Sequence, residues 1–453
     1  MAARPRVFLD GYNLALTEGT GVATYARNLS HGMGRLGFEV GVLYGTPTAS
    51  SADPLLREIG FFDEPGQAPP AWLTALRRGR RLLRAPLGET ARPVPITGQV
   101  ISTAYRDRLP HFDEIWNNAG LFQQAHVHFR AFGNRLALSL PQPPQLMHWT
   151  YPLPLHLRGA RNIYTLHDLV PLRLPYTTLD VKRSYLRLSR MLAREADHIV
   201  TVSEASKRDI VTLLGVPEER VTNTYQAVDI PPRLRNLPFA EVIGEIASSF
   251  DLVAGQYWLF FGAIEPKKNV GRMIQAFLAS GAEGPLVIVG KKAWKSDQEL
   301  RLLGDLRNRQ SARGPGASGM DRKVILLDYA PFGLLVNLIR GARAVLFPSL
   351  YEGFGLPALE AMLLGTPVVT ANTASLPEVV GDAALTVDPY DISALSEAIR
   401  AVDRDPELRA RLAEAGPRQA ELFSPERYAA RLQKLYAGLG VAAPGMGAAP
   451  PSG

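Results

Sequence analysis

Cysteine is absent from the 453-residue chain. No disulfide, no thiolate-held metal and no cysteine nucleophile can be built from it, and a reducing cytoplasm is the compartment this suits. Long apolar runs are missing too: nothing approaches the ~18 residues of a spanning helix. Arg4 and Arg6 precede only the short run Val7 to Leu9, which is not a signal peptide. Charge of one sign is scarce, since 50 basic residues face 43 acidic ones for a net +7. That balance admits an anionic partner such as a nucleotide or an acidic membrane surface, but no basic recognition stripe stands out, so nucleic acid is not expected. What remains is an ordinary globular mixture of 46% hydrophobic and 21% charged residues. At about 150 residues per domain the length predicts two or three domains, and disordered and disulfide-stapled classes are excluded.

The chain opens with a β run, Val7 to Asp10, then the loop Gly19-Thr20-Gly21-Val22, a helical stretch to Arg35 and a second strand at Glu39 to Tyr44. Strand, loop, helix, strand is the start of a parallel α/β layer. Residues 45–110 form an irregular, basic, Pro/Gly-rich insertion. Within it, Trp72, Leu73, Leu76 and Leu83 can share a helical face beside the arginines of 72–84. That composition suits either an interfacial helix or a solvated insertion packed on its own domain, with Gly79 weakening the helix. Strands resume at Ile163 to Leu166 and His198 to Val202, with a helix over about Leu179 to Ala196 between them. The prolines of 230–238 read as a linker. Five strands then alternate with helices from Trp258 to Thr370. The pattern predicts an α/β chain of two doubly wound, Rossmann-like domains facing a cleft, with ligands beyond the carboxyl ends of the strands. The expected divisions are 1–235, 236–420, a helix at 421–440 returning to the first domain, and a disordered tail over 441–453.

The most informative stretch runs from Phe347 through Ser349, Glu352, Gly353, Phe354, Gly355, Leu356, Pro357 and Glu360 to Met362. It follows a strand and opens a helix. Gly353 and Gly355 let backbone amides approach a ligand, Pro357 suits a first helical turn, and the helix start favours phosphate. Glu360, about one turn into the helix, can accept two hydrogen bonds from a vicinal diol such as a ribose. Glu352 lies where a sugar attached to the phosphate would sit. A capped helix carrying two surface glutamates is the plain alternative, and the order Glu, Gly, Gly, Pro, Glu speaks against it.

This stretch resembles the glutamate–seven–glutamate signature of retaining GT-B glycosyltransferases, most closely family 4. The resemblance continues through Gly365 to Val369 and Ser375 to Ala384. A second segment, Phe261-Gly262-Ala263-Ile264-Glu265-Pro266-Lys267-Lys268-Asn269, follows a strand and precedes a helix, and its lysines can neutralise a diphosphate. It is similar to the family's phosphate loop. Many members have Arg directly after the glycine; here Ala263 stands there, and Lys267 is expected to replace the missing guanidinium. Glu-Pro-basic-Lys-Asn is the form found in a subgroup that includes bacterial mannosyltransferases. A third segment, Tyr164-Thr165-Leu166-His167-Asp168, resembles the family's His-Asp motif, which implies that His167 contacts the transferred sugar while Asp168 orients the loop. A lone histidine is otherwise more often structural. Thr201 to Lys207 also looks like the family, but capping by Ser203 explains it without a catalytic role. Gly21 is a candidate for approaching the donor phosphate, with helix-start packing as its alternative. His126 and His128 could share one face of a strand, yet nothing nearby completes a metal site.

The resemblance implies transfer of a sugar from a nucleotide-sugar to an acceptor hydroxyl with retained configuration. His167, Glu352 and Lys268 would act at the reacting centre. Lys267, Gly262, Gly353, Phe354, Gly355, Leu356, Glu360 and Gly21 would bind the donor. No cofactor and no divalent metal are expected. Subgroup similarity points to GDP-mannose, and to a glycan or lipid-linked acceptor in surface polysaccharide, lipopolysaccharide O-antigen or exopolysaccharide synthesis. The setting implied is the cytoplasm, with peripheral contact at the inner membrane face through 72–84. Competing readings are a glycosidase built on the glutamate pair, a same-fold synthase of a soluble sugar or storage glucan, and a non-enzymatic assembly subunit.

Overall fold

The computed structural model describes residues 4–14, 21–46, 53–62, 88–97, 110–311 and 323–444, without the side chains of 305–311. The segment 72–84 lies outside the described residues, as does most of the loop before Gly21.

Short runs of β-branched and aromatic residues, buried on both faces, build two parallel sheets. In the first lobe the strands are β1 (Arg6–Asp10), β2 (Glu39–Tyr44), β3 (Glu89–Thr90), β4 (Arg92–Val94), β5 (Glu114–Asn117), β6 (Leu136–Ser139), β7 (Leu146–Trp149), β8 (Leu155–Leu157), β9 (Arg161–Thr165), β10 (His198–Thr201) and β11 (Val221–Asn223). Eight of them form one sheet in the order β11-β10-β9-β7-β1-β2-β5-β4. Its pairs are parallel apart from β4 on β5, and β1 lies central, Val7 opposite both Val40 and Leu146. The second lobe holds β12 (Trp258–Phe261), β13 (Leu286–Val289), β14 (Val324–Leu327), β15 (Ala344–Phe347), β16 (Val368–Ala371) and β17 (Leu385–Val387). They form an all-parallel sheet in the order β14-β13-β12-β15-β16-β17. In both sheets the strand order reverses in the middle, so the crevice at the carboxyl ends is a ready ligand site.

Seven helices position the site: α1 (Gly21–Arg35), α2 (Leu121–Phe132), α3 (Lys182–Glu195), α4 (Glu204–Leu214), α5 (Val270–Ser280), α6 (Leu356–Leu363) and α7 (Pro425–Gly438). Helix α1 buries Tyr25, Ala26, Leu29 and Met33. The same cluster takes in Tyr428, Leu432 and Tyr436 of α7, so the C-terminal helix packs on the first lobe. Phe354, Leu356, Leu359 and Val379 of the second lobe join it, which makes an apolar seam across the two lobes.

Three expectations are corrected. Val441 and Ala443 are buried in this cluster and the Val441 amide bonds the Tyr436 carbonyl at 2.8 Å, so the first residues of the expected disordered tail are packed chain. Helix Pro54–Phe62 and strands β3 and β4 lie inside the stretch expected to be irregular. His126 and His128 sit on α2, not on a strand. Leu121, Phe122, Ala125 and Phe129 recur at helical spacing and are buried, between left-handed Gly120 and Gly133 at the two ends. Two residues apart on a helix do not share a face, and His128 is tied to Asn134 at 2.7 Å.

Candidate active site

The loops that leave β7, β9, β12, β13 and β15 converge on the cleft between the lobes. A cavity of about 270 Å³ there is lined by, among others, Tyr151, His167, Asp168, Glu265, Lys267 and Trp294.

On the second-lobe wall, Lys268 Nζ lies 2.7 Å from Glu352 Oε1. Their side chains are only 11% and 9% exposed, and the ammonium sits 4.8 Å from the Phe347 ring centre. Burial alone would push the Glu352 carboxyl up, but Lys268 and Lys267 outweigh it and hold Glu352 below the ordinary range. Lys267 Nζ is 3.5 Å from Glu265 Oε1. Burial opposes its charge, yet Glu352, Asp168 and Glu265 hold Lys267 above the usual lysine range. The two lysines are therefore fixed cations in a carboxylate frame, and an arriving diphosphate meets charge that is already in place.

The frame is anchored by Asn269, a residue of the phosphate-loop segment to which no role was given. It is buried in the left-handed region (φ +60°), where Asn is favoured among non-glycine residues. Its amide donates to the carbonyls of Pro348 at 3.1 Å and Pro389 at 2.7 Å, tying the lysine loop to the loop after β15. The Leu350 amide adds a bond to the Lys267 carbonyl at 2.8 Å.

Gly262 directly follows β12, and Gly353, Phe354 and Gly355 lead into α6. A Cβ on Gly353 would meet the His167 carbonyl at 2.8 Å, so only glycine lets the two lobes approach there. Gly355 caps α6 with φ +105°. Pro357 has no N–H and the Ala358 amide bonds the Gly355 carbonyl at 3.1 Å, so among the described residues Leu356 supplies the amide of this helix start that lacks an intrahelical acceptor. The Phe354 and Leu356 side chains point into the apolar seam, so only their backbone faces the ligand side. Among the described residues no cation or donor stands beside Glu360, and burial lifts its pKa to about 7. Gly21 is the first residue of α1, and among the described residues nothing lies within 4 Å of where a Cβ would stand.

On the first-lobe wall, His167 Nε2 lies 2.9 Å from the Thr150 carbonyl oxygen. A carbonyl only accepts, so Nε2 carries the proton and Nδ1 of the neutral ring is the acceptor. Burial lowers the His167 pKa and keeps the ring neutral. The Tyr25 ring meets it edge-on at 4.8 Å. The Thr150 amide in turn donates to Asp10, as does its hydroxyl at 3.1 Å. Asp10 is fully buried at the end of β1 and its pKa is raised to about 6 by burial. The series Asp10–Thr150–His167 thus orients the imidazole through one residue, Thr150, held by its N–H and hydroxyl on one side and bonded through its carbonyl on the other. Sequence reading missed Asp10; its place at the carboxyl end of a central strand was the available signal.

The walls are joined by contacts unforeseen from sequence. Glu378 accepts from the amides of Glu204 and Ala205, each at 2.9 Å, and from the Tyr225 hydroxyl at 3.2 Å. A carboxylate from one lobe thereby caps α4 of the other. Ser203 caps the same helix, accepting from the Ser206 amide at 3.0 Å. The Ser206 hydroxyl donates to the His167 carbonyl at 2.9 Å. Tyr351 donates to Asp209, which also holds Arg173. Among the described residues no group of three or more His, Asp or Glu could hold a metal ion.

Two family models cover most of this architecture: Glycosyltransferase Family 4 over residues 100–232 and Glycosyl transferases group 1 over residues 253–419. The O-antigen chain mannosyltransferase B of Escherichia coli is 33% identical over 286 residues, 62% of this chain and 71% of that protein. The MMP alpha-(1->4)-mannosyltransferase of Mycolicibacterium hassiacum is 30% identical over 258 residues, 56% of each chain. In fold, the UDP-glucose complex of Anabaena HepE superposes with a TM-score of 0.62 at 14% identity, covering 96% of this chain and all of that one. The fold and the cleft define a GT-B enzyme. The chain belongs to the family 4, group 1 glycosyltransferases, and transfers a sugar.

Proposed function

We propose that this enzyme is retaining and nucleotide-sugar dependent, moving mannose from GDP-mannose to a hydroxyl of a glycan or lipid-linked acceptor in O-antigen or related surface polysaccharide synthesis in the cytoplasm. The observation that carries this reading is the convergence of two caged lysines and the α6 start on one side of the cleft, opposite a neutral, oriented histidine. The mannosyltransferase relatives favour the sugar.

In this reading the diphosphate lies against Lys267, Lys268 and the backbone amides of Gly353 to Leu356 that lead into α6. Glu360 takes the ribose hydroxyls. Glu352 accepts from hydroxyls of the sugar and favours positive charge developing at the anomeric carbon. His167 accepts a sugar hydroxyl through Nδ1. The bond from the anomeric carbon to the diphosphate oxygen breaks as the acceptor oxygen bonds to that carbon from the same face. The acceptor proton passes to the departing diphosphate, so no protein nucleophile and no cofactor are required. The lysines and the helix start supply the charge neutralisation that a divalent ion would otherwise give.

The test is transfer from a panel of nucleotide-sugars to mannosylated acceptors, with the anomeric configuration of the product read by NMR. An α-linked product from an α-linked donor is expected. Inversion, or sugar release with no role for the nucleotide, would contradict the proposal.

A further inference from the structure

Helix α3 carries Arg183, Arg187, Arg190 and Arg194, all exposed. At 3.6 residues per turn these four fall within a sector of about 60°, along roughly 16 Å of helix. The opposite face, Leu188, Met191 and Leu192, is buried in the first-lobe core. No basic stripe is visible in the linear sequence because the arginines are interleaved with these core residues. Among the described residues no carboxylate pairs with the four. Glu195 at the far end is engaged by Arg135 at 3.0 Å, and Asp180 stands at the cleft end. The C-terminal end of α2 adjoins the middle of the stripe, where the Arg187 guanidinium lies 5.2 Å from the Phe129 ring centre. It adds exposed Arg130 and Phe132.

Just before α3, Leu179 and Val181 are 73% and 72% exposed, above every other large hydrophobic residue among those described. Leu179 also lines the cleft, together with Thr177 and Thr178. Arginines beside unsheltered aliphatic side chains suit a surface that offers anionic headgroups and, a few ångströms deeper, hydrocarbon. A polynucleotide would satisfy the charge and leave the aliphatic groups in water.

We infer that the exposed face of α3, with Val181 and Phe132 at its margins, docks on an anionic lipid bilayer and turns the mouth of the cleft toward the membrane. This orientation would bring a lipid-linked acceptor to His167 without leaving the bilayer. The surface is built of residues other than 72–84, and it requires no assumption about which sugar is transferred.

The test is co-sedimentation of the full chain with phosphatidylglycerol-containing vesicles and with pure phosphatidylcholine vesicles, at low and high salt. Binding should need phosphatidylglycerol and weaken with salt. Arg190→Gln/Arg194→Gln should weaken it about twenty-five-fold, at about fivefold per arginine, and Val181→Ser should weaken it a further few-fold at high salt. Transfer to a water-soluble acceptor and the melting temperature should stay unchanged in the double variant, which separates this inference from the transferase reading and from misfolding. Wild-type binding by the double variant, equal retention on pure phosphatidylcholine, or tighter capture by duplex DNA than by the anionic vesicles would each overturn it.

Discussion

The second-lobe wall of the cleft holds full charges in pairs, Lys268 with Glu352 and Lys267 with Glu265, whereas the first-lobe wall presents a neutral imidazole held through Thr150 by a buried carboxylate. The contrast separates two tasks. Neutralising a departing diphosphate calls for charge fixed before the substrate arrives. Holding a sugar calls for direction, and a neutral ring with one assigned acceptor supplies it. If the division is right, substitutions on the two walls fail in different ways.

The largest effect is expected at Glu352. Glu352→Gln leaves Lys268 without its counter-charge and removes the carboxylate proposed to face the anomeric carbon. kcat should fall by about 10²–10³, with nucleotide affinity nearly preserved, as steady-state kinetics beside calorimetry would show. A loss confined to KM would erase the contrast.

Next comes Asp10, which touches no substrate and acts by positioning. Asp10→Ala frees the Thr150 amide and hydroxyl and should lower kcat by up to about 10², while Asp10→Asn, which keeps an acceptor, should recover much of the rate. With the Asp10 pKa raised to about 6, wild-type kcat should decline as pH falls through that value, and Asp10→Asn should lack this acid limb. Stability moves oppositely. A raised folded pKa means that acid relieves this buried group, and its contribution to stability is lost as pH rises through about 6. A pH–rate profile and a pH–melting profile with opposite slopes would therefore distinguish positioning from simple destabilisation.

Smaller still is the effect at Glu360. Its carboxyl must be ionised to accept two hydrogen bonds from a diol, and its pKa stands at about 7 in the ligand-free protein. GDP should bind about tenfold more weakly at pH 6 than at pH 8. Glu360→Gln should flatten that dependence and bind weakly throughout. An unchanged slope in the variant would assign the pH effect elsewhere.

The two walls also differed in what their sequence disclosed. On the second lobe, Glu352, Gly353, Gly355 and Glu360 lie within one short segment, and Lys267 and Lys268 within another, because each functional loop is a single strand-to-helix turn with its own local constraints. Local pattern is what sequence reading detects, and β1, β2, β9 and β10 of the first sheet and five of the six strands of the second were legible for the same reason. On the first lobe, Asp10, Thr150 and His167 come from three separate strands, and the Glu378 clamp spans 174 residues to the Glu204 amide. Such groupings exist only after the sheet has formed. The α3 stripe was hidden differently: its arginines alternate with core residues and gather only when wound at helical pitch. His126 and His128 show the converse failure, where a strand spacing was read into a helix.

The central claim is that a nucleoside diphosphate is held in the cleft by Lys267, Lys268 and the start of α6, with no divalent ion required. Calorimetric titration of GDP into the wild-type enzyme and into Lys267→Ala, both in EDTA, tests it most directly. Undiminished binding by the wild type and about ten- to hundredfold weaker binding by the variant are expected. Binding that appears only when a divalent cation is restored, or that is equal in the two proteins, would contradict it.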